Sequence, residues 1–361
     1  MHSQELARFP ENPLISPEDV RPSEPFLRVE GIFNPAAARI GGETRLFCRV
    51  SETATDTGAG GAAMKLPVIG SSGRIELVEA RLEGLDLSDP RILRSREGST
   101  LHLSSLSHIR AARSRDGIHF ALDDRPILVG RPGDEEWGVE DPRISEIEGS
   151  WYLCYSAVSR DGVGVAIAAS AGLERFERLG MALPPSNKDA ALFPEKVGGS
   201  YRLLHRPLPD GIGAPDIWIA RSPDLRHWGD HRRLLGATEG GEWESMKVGA
   251  GAPPLRVAEG WLLLYHGVGR GERYSVGAAL LDAEDPSKLL ARAREPIMEA
   301  ETSYERSGFF GGAVFPCGAF MEGEDLVFYY GAADRCVCGA RIPLRSLMRR
   351  LSPCRGAKRR S

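Results

Sequence analysis

A strand-like segment that recurs along the chain constrains its fold more than any other feature. Five stretches share one pattern, an acidic or glycine turn followed by alternating aromatic and aliphatic residues. They are GGETRLFCRV (41–50), EGSWYLCYSA (148–157), GGSYRLLHRP (198–207), EGWLLLYHGV (259–268) and GEDLVFYYGA (323–332). A period of two means strands with one face buried. Small-residue segments follow three of them, GVAIAAS (164–170), DIWIARS (216–222) and SVGAALL (275–281), so each unit reads as an antiparallel meander. Leu153 to Leu203 spans 50 residues, Leu203 to Leu263 spans 60, and Leu263 to Val327 spans 64. That is the size of a propeller blade, and the chain is expected to be all-β. Leu46 to Leu153 is 107 residues, about two periods, and the gap holds a weaker copy. There DPRILRSREGSTLHL (89–103) echoes DPRISEIEGSWYLCY (141–155), which leaves room for an extra blade-like unit at about 84–130. Residues 53–73 are Gly- and Ala-rich and read as irregular; the insert as a whole runs over about 53–105. No βαβ alternation and no phosphate-cradling Gly loop is present, and Leu344–Leu351 reads as a short terminal helix.

Composition removes whole classes of function. The 46 basic and 50 acidic side chains nearly balance, which argues against a nucleic-acid partner. No window approaches the roughly 20 apolar residues of a membrane helix. Met1–Val20 lacks the apolar core of a secretory signal, and the six Cys form no disulfide framework, so the chain reads as cytoplasmic. Residues 1–30, with Pro10, Pro13 and Pro17, read as an extended lead-in, 31–345 as one domain, and 346–361 as a basic, solvated tail. A homo-oligomer is compatible with all of this.

In a propeller the innermost strands meet around the axis, so polar residues at their starts converge in one funnel. Here those starts are FNPAAA (33–38), GVEDPRIS (138–145), ALFPEKVGG (191–199), MKVGAGAPPL (246–255) and GAVFPCGAF (312–320). A carboxylate in such a water-poor site can serve as a general acid.

These segments, with SRDGIHF (114–120), SPDLRHWGDHRRLL (222–235), SVGAALLDAEDPSKLLAR (275–292) and YYGAAD (329–334), resemble glycoside hydrolase family 130, the β-mannoside phosphorylases and related inverting β-mannosidases. The match runs in order from about residue 10 to about 340 and misses mainly 53–105. It implies a single catalytic domain folded as a five-bladed β-propeller that cleaves β-1,2- or β-1,4-linked manno-oligosaccharides or mannosyl-glucose with inorganic phosphate. It also implies inversion to α-mannose 1-phosphate, with no metal and no cofactor. The Asp of the Asp-Pro-Arg motif, Asp141, is then the general acid, acting through the mannose 3-hydroxyl. Phosphate is already a nucleophile, so one acid and an anion site suffice.

By the same resemblance Arg49, Lys196, His205 and Arg206 form the phosphate group, with His266 and Tyr274 as helpers; Arg suits phosphate because its planar fork matches the oxygens. Asn34, Glu140, Arg143 and Asp334 are candidates for holding mannose hydroxyls. Plainer readings stand beside them: Arg143 could pair with Glu140 or Asp141 to hold its loop, and Lys196 could be a surface turn residue. Trp151, Trp218 and Trp261 read as core, while Trp137 is the candidate for stacking on a sugar. Glu195 stands where mannosyl-glucose phosphorylases carry Arg. It keeps a rival open, an inverting β-mannosidase with Glu195 or another inner-face Glu as base, which needs two carboxylates roughly 6.5–9.5 Å apart. Asp89, in the second Asp-Pro-Arg, reads as a structural echo.

Overall fold

The computed structural model describes residues 6–56, 62–238 and 243–354. Five antiparallel sheets form the five blades of a propeller. The first blade is Leu27–Ile40, Glu43–Ala54, Leu106–Ser114 and Ala121–Leu122. The second is Val139–Ile147, Ser150–Ser159, Gly162–Ser170 and Glu177–Leu183, and the third is Asn187–Leu192, Tyr201–Pro207, Ile217–Ser222 and Gly229–Leu235. The fourth comprises Lys247–Ala250, Gly260–Val268, Tyr274–Leu281 and Leu289–Ala293, with Leu255–Val257 and Leu351–Pro353 added. The fifth is Val314–Glu322, Asp325–Ala332 and Cys336–Pro343, completed by Ala7–Arg8 from the start of the chain.

The five recurring segments are thus the second strands of the blades, and the small-residue segments are third strands. Small residues there let neighbouring blades pack closely. Type I′ geometry joins the first two strands where Glu148 and Gly149 have φ of 52° and 78°. This left-handed pair matches the twist of the hairpin, and Gly adopts it at no steric cost. Five apolar clusters fill the ring, one between each pair of adjacent blades. One joins Phe47 and Ile109 of the first blade to Leu153 and Tyr155 of the second. Another joins Val50 and Leu46 of the first to Val327 and Tyr329 of the fifth, which closes the circle.

Three expectations change. The unit at about 84–130 is not a blade. Leu106–Ser114 and Ala121–Leu122 belong to the first blade, and what precedes them is a two-stranded hairpin, Ile92–Arg94 with Thr100–Leu103. With a second hairpin, Ala63–Ile69 with Ile75–Arg81, it forms the insert between strands of the first blade; residues 57–61 lie outside the described residues. The lead-in is not merely extended, since Ala7–Arg8 pairs with Arg341 and Ala340 as an outer strand. The expected terminal helix forms at Leu344–Arg349, but the tail after it is not wholly solvated, since Leu351–Pro353 pairs with Ala291–Ala293. The basic residues Arg355, Lys358, Arg359 and Arg360 lie outside the described residues.

Candidate active site

The inner strands share a local distortion. The pairing register shifts between Phe33 and Ala36, between Glu140 and Arg143, and between Lys188 and Ala191. At these bulges Asn34, Asp141 and Asp189 have φ of 49°, 47° and 52°. Asn and Asp tolerate the left-handed region better than other side chains, and a bulge re-aims the side chain it carries. Three polar groups that a regular strand would bury between blades therefore turn toward the axis. They meet in one cavity of about 90 Å³, open to solvent, with Arg49, Arg91, Lys188, Arg206, Tyr274, Phe310, Phe315 and Asp334 also on its wall.

Asp141 is 3% exposed and sits among cations. Its Oδ1 accepts hydrogen bonds from Asn34 Nδ2 (2.8 Å) and Arg49 Nη1 (3.1 Å), and Lys188 Nζ lies 3.9 Å from Oδ2. Burial alone would push its carboxyl up; Arg49, Lys188 and Arg143, with the Asn34 bond, outweigh that and hold it at about 2. Arg49 is fixed on its other edges by Glu140 (2.7 Å) and Ser107 (3.0 Å). Asp334 behaves oppositely: burial, with Asp141 adding to it, pushes its carboxyl up to about 6 against the pull of Arg49.

The second cluster centres on Asp189, which is fully buried. It accepts from Arg206 Nε (2.7 Å) and faces Arg143 Nη2 and His266 Nε2 at 3.5 Å each. The charges of Arg206, Arg143 and Lys188, Arg206 first, carry its carboxyl well below the usual range in spite of burial. Lys247 stands over the Tyr274 ring at 4.9 Å. Burial, then the neighbouring Arg206 and Lys188, lower its ammonium to about 8. Burial also lowers His266 to about 3, so its imidazole is neutral, stacked on Phe315 with centroids 4.4 Å apart.

Of the residues expected from sequence, Asn34, Arg49, Asp141, Arg206, Tyr274 and Asp334 line the cavity, and Glu140 and His266 support it. Others lie elsewhere. Lys196 is at the far hairpin of the third blade, where it bonds Glu148 at 2.9 Å; the plainer reading of it as a turn residue holds. Its expected place is taken by Lys188, which pairs across the strand with Arg206. Glu195 shares that hairpin, exposed, 3.9 Å from Arg256, so it lies off the cavity wall and away from Asp141. His205 points away from its neighbour Arg206, because alternate residues face opposite sides of a strand; it contacts Asn187 (3.1 Å) and His231 (3.0 Å). Trp137 is buried against His102 of the insert at 5.6 Å, which leaves no ring face for a sugar. Trp151 and Trp261 are core as expected, whereas Trp218 is only half-buried on the third strand of the third blade. Arg143 does not reach for sugar. Its guanidinium bonds the backbone oxygens of Asp141 (2.8 Å), Ala250 (3.1 Å) and Gly251 (3.3 Å), clamping the second blade to the fourth.

Sequence reasoning missed Lys188, Asp189, Lys247 and Arg91. A signal for two of them existed: Lys188-Asp189-Ala190 sits 48 residues after Glu140-Asp141-Pro142, nearly one period, but no proline marks it.

The comparisons with known proteins agree with this geometry. The model of glycoside hydrolase family 130, described as beta-1,4-mannooligosaccharide phosphorylase, matches residues 99–352. Beta-1,2-mannobiose phosphorylase of Listeria innocua is 43% identical over 352 residues, covering 96% of this chain and 98% of that protein. Beta-1,4-mannooligosaccharide phosphorylase of Ruminococcus albus is 33% identical over 241 residues, covering 63% of this chain and 71% of that protein. The solved complex of the Listeria innocua enzyme with beta-1,2-mannobiose aligns with a TM-score of 0.92 at 42% identity, over 96% of this chain and 99% of that one. Five blades, an axial cavity with the Asp141 motif at its wall, and a family match over most of the chain have one reading: the chain belongs to glycoside hydrolase family 130.

Proposed function

We propose that the protein is an inverting phosphorylase of β-linked mannosides, with β-1,2-mannobiose as its first substrate. The observation that carries the reading is the gathering of Arg49, Lys188 and Arg206 on the wall that holds Asp141, with Lys247 over Tyr274 next to it, lowered by burial and then by Arg206 and Lys188. Like charges gathered in a buried wall repel one another, and an entering anion relieves that repulsion. The choice of the β-1,2 linkage follows the relative that spans nearly the whole chain.

In the proposed reaction a phosphate oxygen attacks the anomeric carbon on the face opposite the glycosidic bond. That bond breaks as the proton of Asp141 passes, through the mannose 3-hydroxyl, to the leaving oxygen. The products are α-mannose 1-phosphate and the shortened acceptor. Asp141 must be protonated to do this, yet Arg49, Lys188 and Arg143 hold it ionised at neutral pH. Bound phosphate dianion supplies the correction, since it offsets the cations that depress the carboxyl. Acid and nucleophile are thereby assembled together. The hydrolytic alternative needs a carboxylate base; Glu195 is not on the cavity wall, and among the described residues no other Glu lines it.

The test is product analysis on β-1,2- and β-1,4-mannobiose with and without phosphate. The reading requires phosphate-dependent release of α-mannose 1-phosphate, faster on the β-1,2 substrate. Equally fast release of free mannose without phosphate overturns it.

A further inference from the structure

The hairpin insert carries a second Asp-Pro-Arg, and its arginine lines the catalytic cavity. Asp89 grips Arg91 along one edge: Nε donates to Oδ1 (2.9 Å) and Nη2 to Oδ2 (2.9 Å), while the Arg91 backbone N–H also donates to Oδ1 (3.0 Å). One face of the guanidinium lies over Phe310, 4.5 Å from the ring centroid. Phe310 meets Tyr274 edge-on at 5.6 Å, and Tyr274 carries Lys247 on its own ring. A continuous stack, Arg91–Phe310–Tyr274–Lys247, therefore runs from the insert to the cations of the fourth blade. With Nε and Nη2 engaged, Nη1 is the donor that makes no hydrogen bond among the described residues.

The hairpin that bears Arg91 is anchored at several points. Leu93 is buried, His102 packs on Trp137, and Thr53 Oγ1 donates to Ser104 O at 3.0 Å. An arginine held on one edge and one face has already lost most of its rotamer entropy, so a ligand contact to the free Nη1 costs little more. The family match begins at residue 99, after this motif, so Arg91 lies outside it.

We propose that Arg91 is a substrate-binding residue that completes the phosphate site from the insert, with Asp89 as its positioning residue. The proposal rests on the phosphorylase reading above. The chemistry selects phosphate over a neutral sugar hydroxyl. Arg91 joins a wall that already holds Arg49, Arg206 and Lys188, with Lys247 over Tyr274 next to it, and such a gathering of cations favours a multiply charged anion.

The experiment compares wild type, Arg91→Ala, Arg91→Lys and Asp89→Asn in phosphate-free buffer. Phosphate binding is read by titration calorimetry without mannoside, the KM for phosphate and for β-1,2-mannobiose are measured separately, and thermal melts monitor folding. The expected result is a phosphate Kd and KM raised on the order of tenfold in Arg91→Ala, the size of one charge-assisted hydrogen bond. Arg91→Lys should recover part of the loss, and Asp89→Asn should raise the phosphate constants less, with mannobiose KM within about twofold throughout. Unchanged phosphate constants overturn the proposal, whether the mannobiose KM rises or only the melting temperature falls. The phosphorylase reading fails separately: a wild type that cleaves mannobiose without phosphate sinks that reading, while the calorimetric titration still judges Arg91.

Discussion

Asp141 and Asp334 share one cavity wall and titrate in opposite directions because their neighbours differ. Asp141 has Arg49, Lys188 and the Asn34 amide; Asp334 has burial and the negative charge of Asp141 working against Arg49. For Asp334 the folded value, about 6, lies above its unfolded value of about 3.9. Between these limits the native state holds a proton that the unfolded chain has lost, so stability falls as pH rises through the window. Asp334→Asn should therefore raise the melting temperature at pH 7.5, by about 1–2 kcal/mol of stability, with the gain vanishing below about pH 4. A lower melting point at pH 7.5 would contradict this. Lys247 supplies a second test. Its ammonium, near 8, loses its charge as the medium becomes alkaline, so the KM for phosphate should climb above pH 8. Lys247→Arg keeps the charge and should flatten that limb of the pH–KM profile.

At the scale of the element, the bulge matters more than any one residue. The same two-for-one irregularity recurs in the inner strands of the first three blades, and each time it turns an Asn or Asp onto the axis. Such strained positions persist because the surrounding contacts over-determine them. In the third blade that support is Asp189 itself, which neutralises the buried Arg206 and Arg143. Asp189→Ala would leave two buried guanidinium groups without their counter-charge. A loss of about 3–5 kcal/mol in denaturant unfolding is expected, with loss of activity. Unfolding within 1 kcal/mol of wild type would show that Asp189 does not hold the cluster. Proline after the bulge residue marks the first two copies, Asn34-Pro35 and Asp141-Pro142, and so made them visible in the sequence. The third, Asp189-Ala190, lacks the mark and went unseen.

For the whole molecule the issue is closure. Each blade buries its faces against two neighbours, so the ring is stable only if the last blade meets the first. Ala7–Arg8 completes the fifth blade, and Arg8 reaches buried Glu305 at 2.8 Å, a carboxylate that also accepts from Tyr330 (2.8 Å) and the Thr302 backbone (3.0 Å). Arg8→Ala should lower global stability by about 2–4 kcal/mol, because Glu305 keeps its burial and loses its cation. The phosphate KM should stay unchanged, since Arg8 lies off the catalytic cavity. Thermal unfolding with parallel kinetics checks both halves.

The order of strands, their inward faces and their blade-length period were written in the chain, because a period of two and a repeat of 50 to 64 residues are local properties. The Asp141 motif was legible for the same reason, as a fixed string at the start of a strand. What only the tertiary structure decided is which cations reach that acid. Lys188 and Lys196 both flank the inner strand of the third blade, and nothing local separates them. One end of that strand opens on the axis, while the other ends in a hairpin. Arg91 was hidden by distance, since a hairpin 50 residues before Asp141 meets it only when the blades close into a ring and bring both motifs to one cavity.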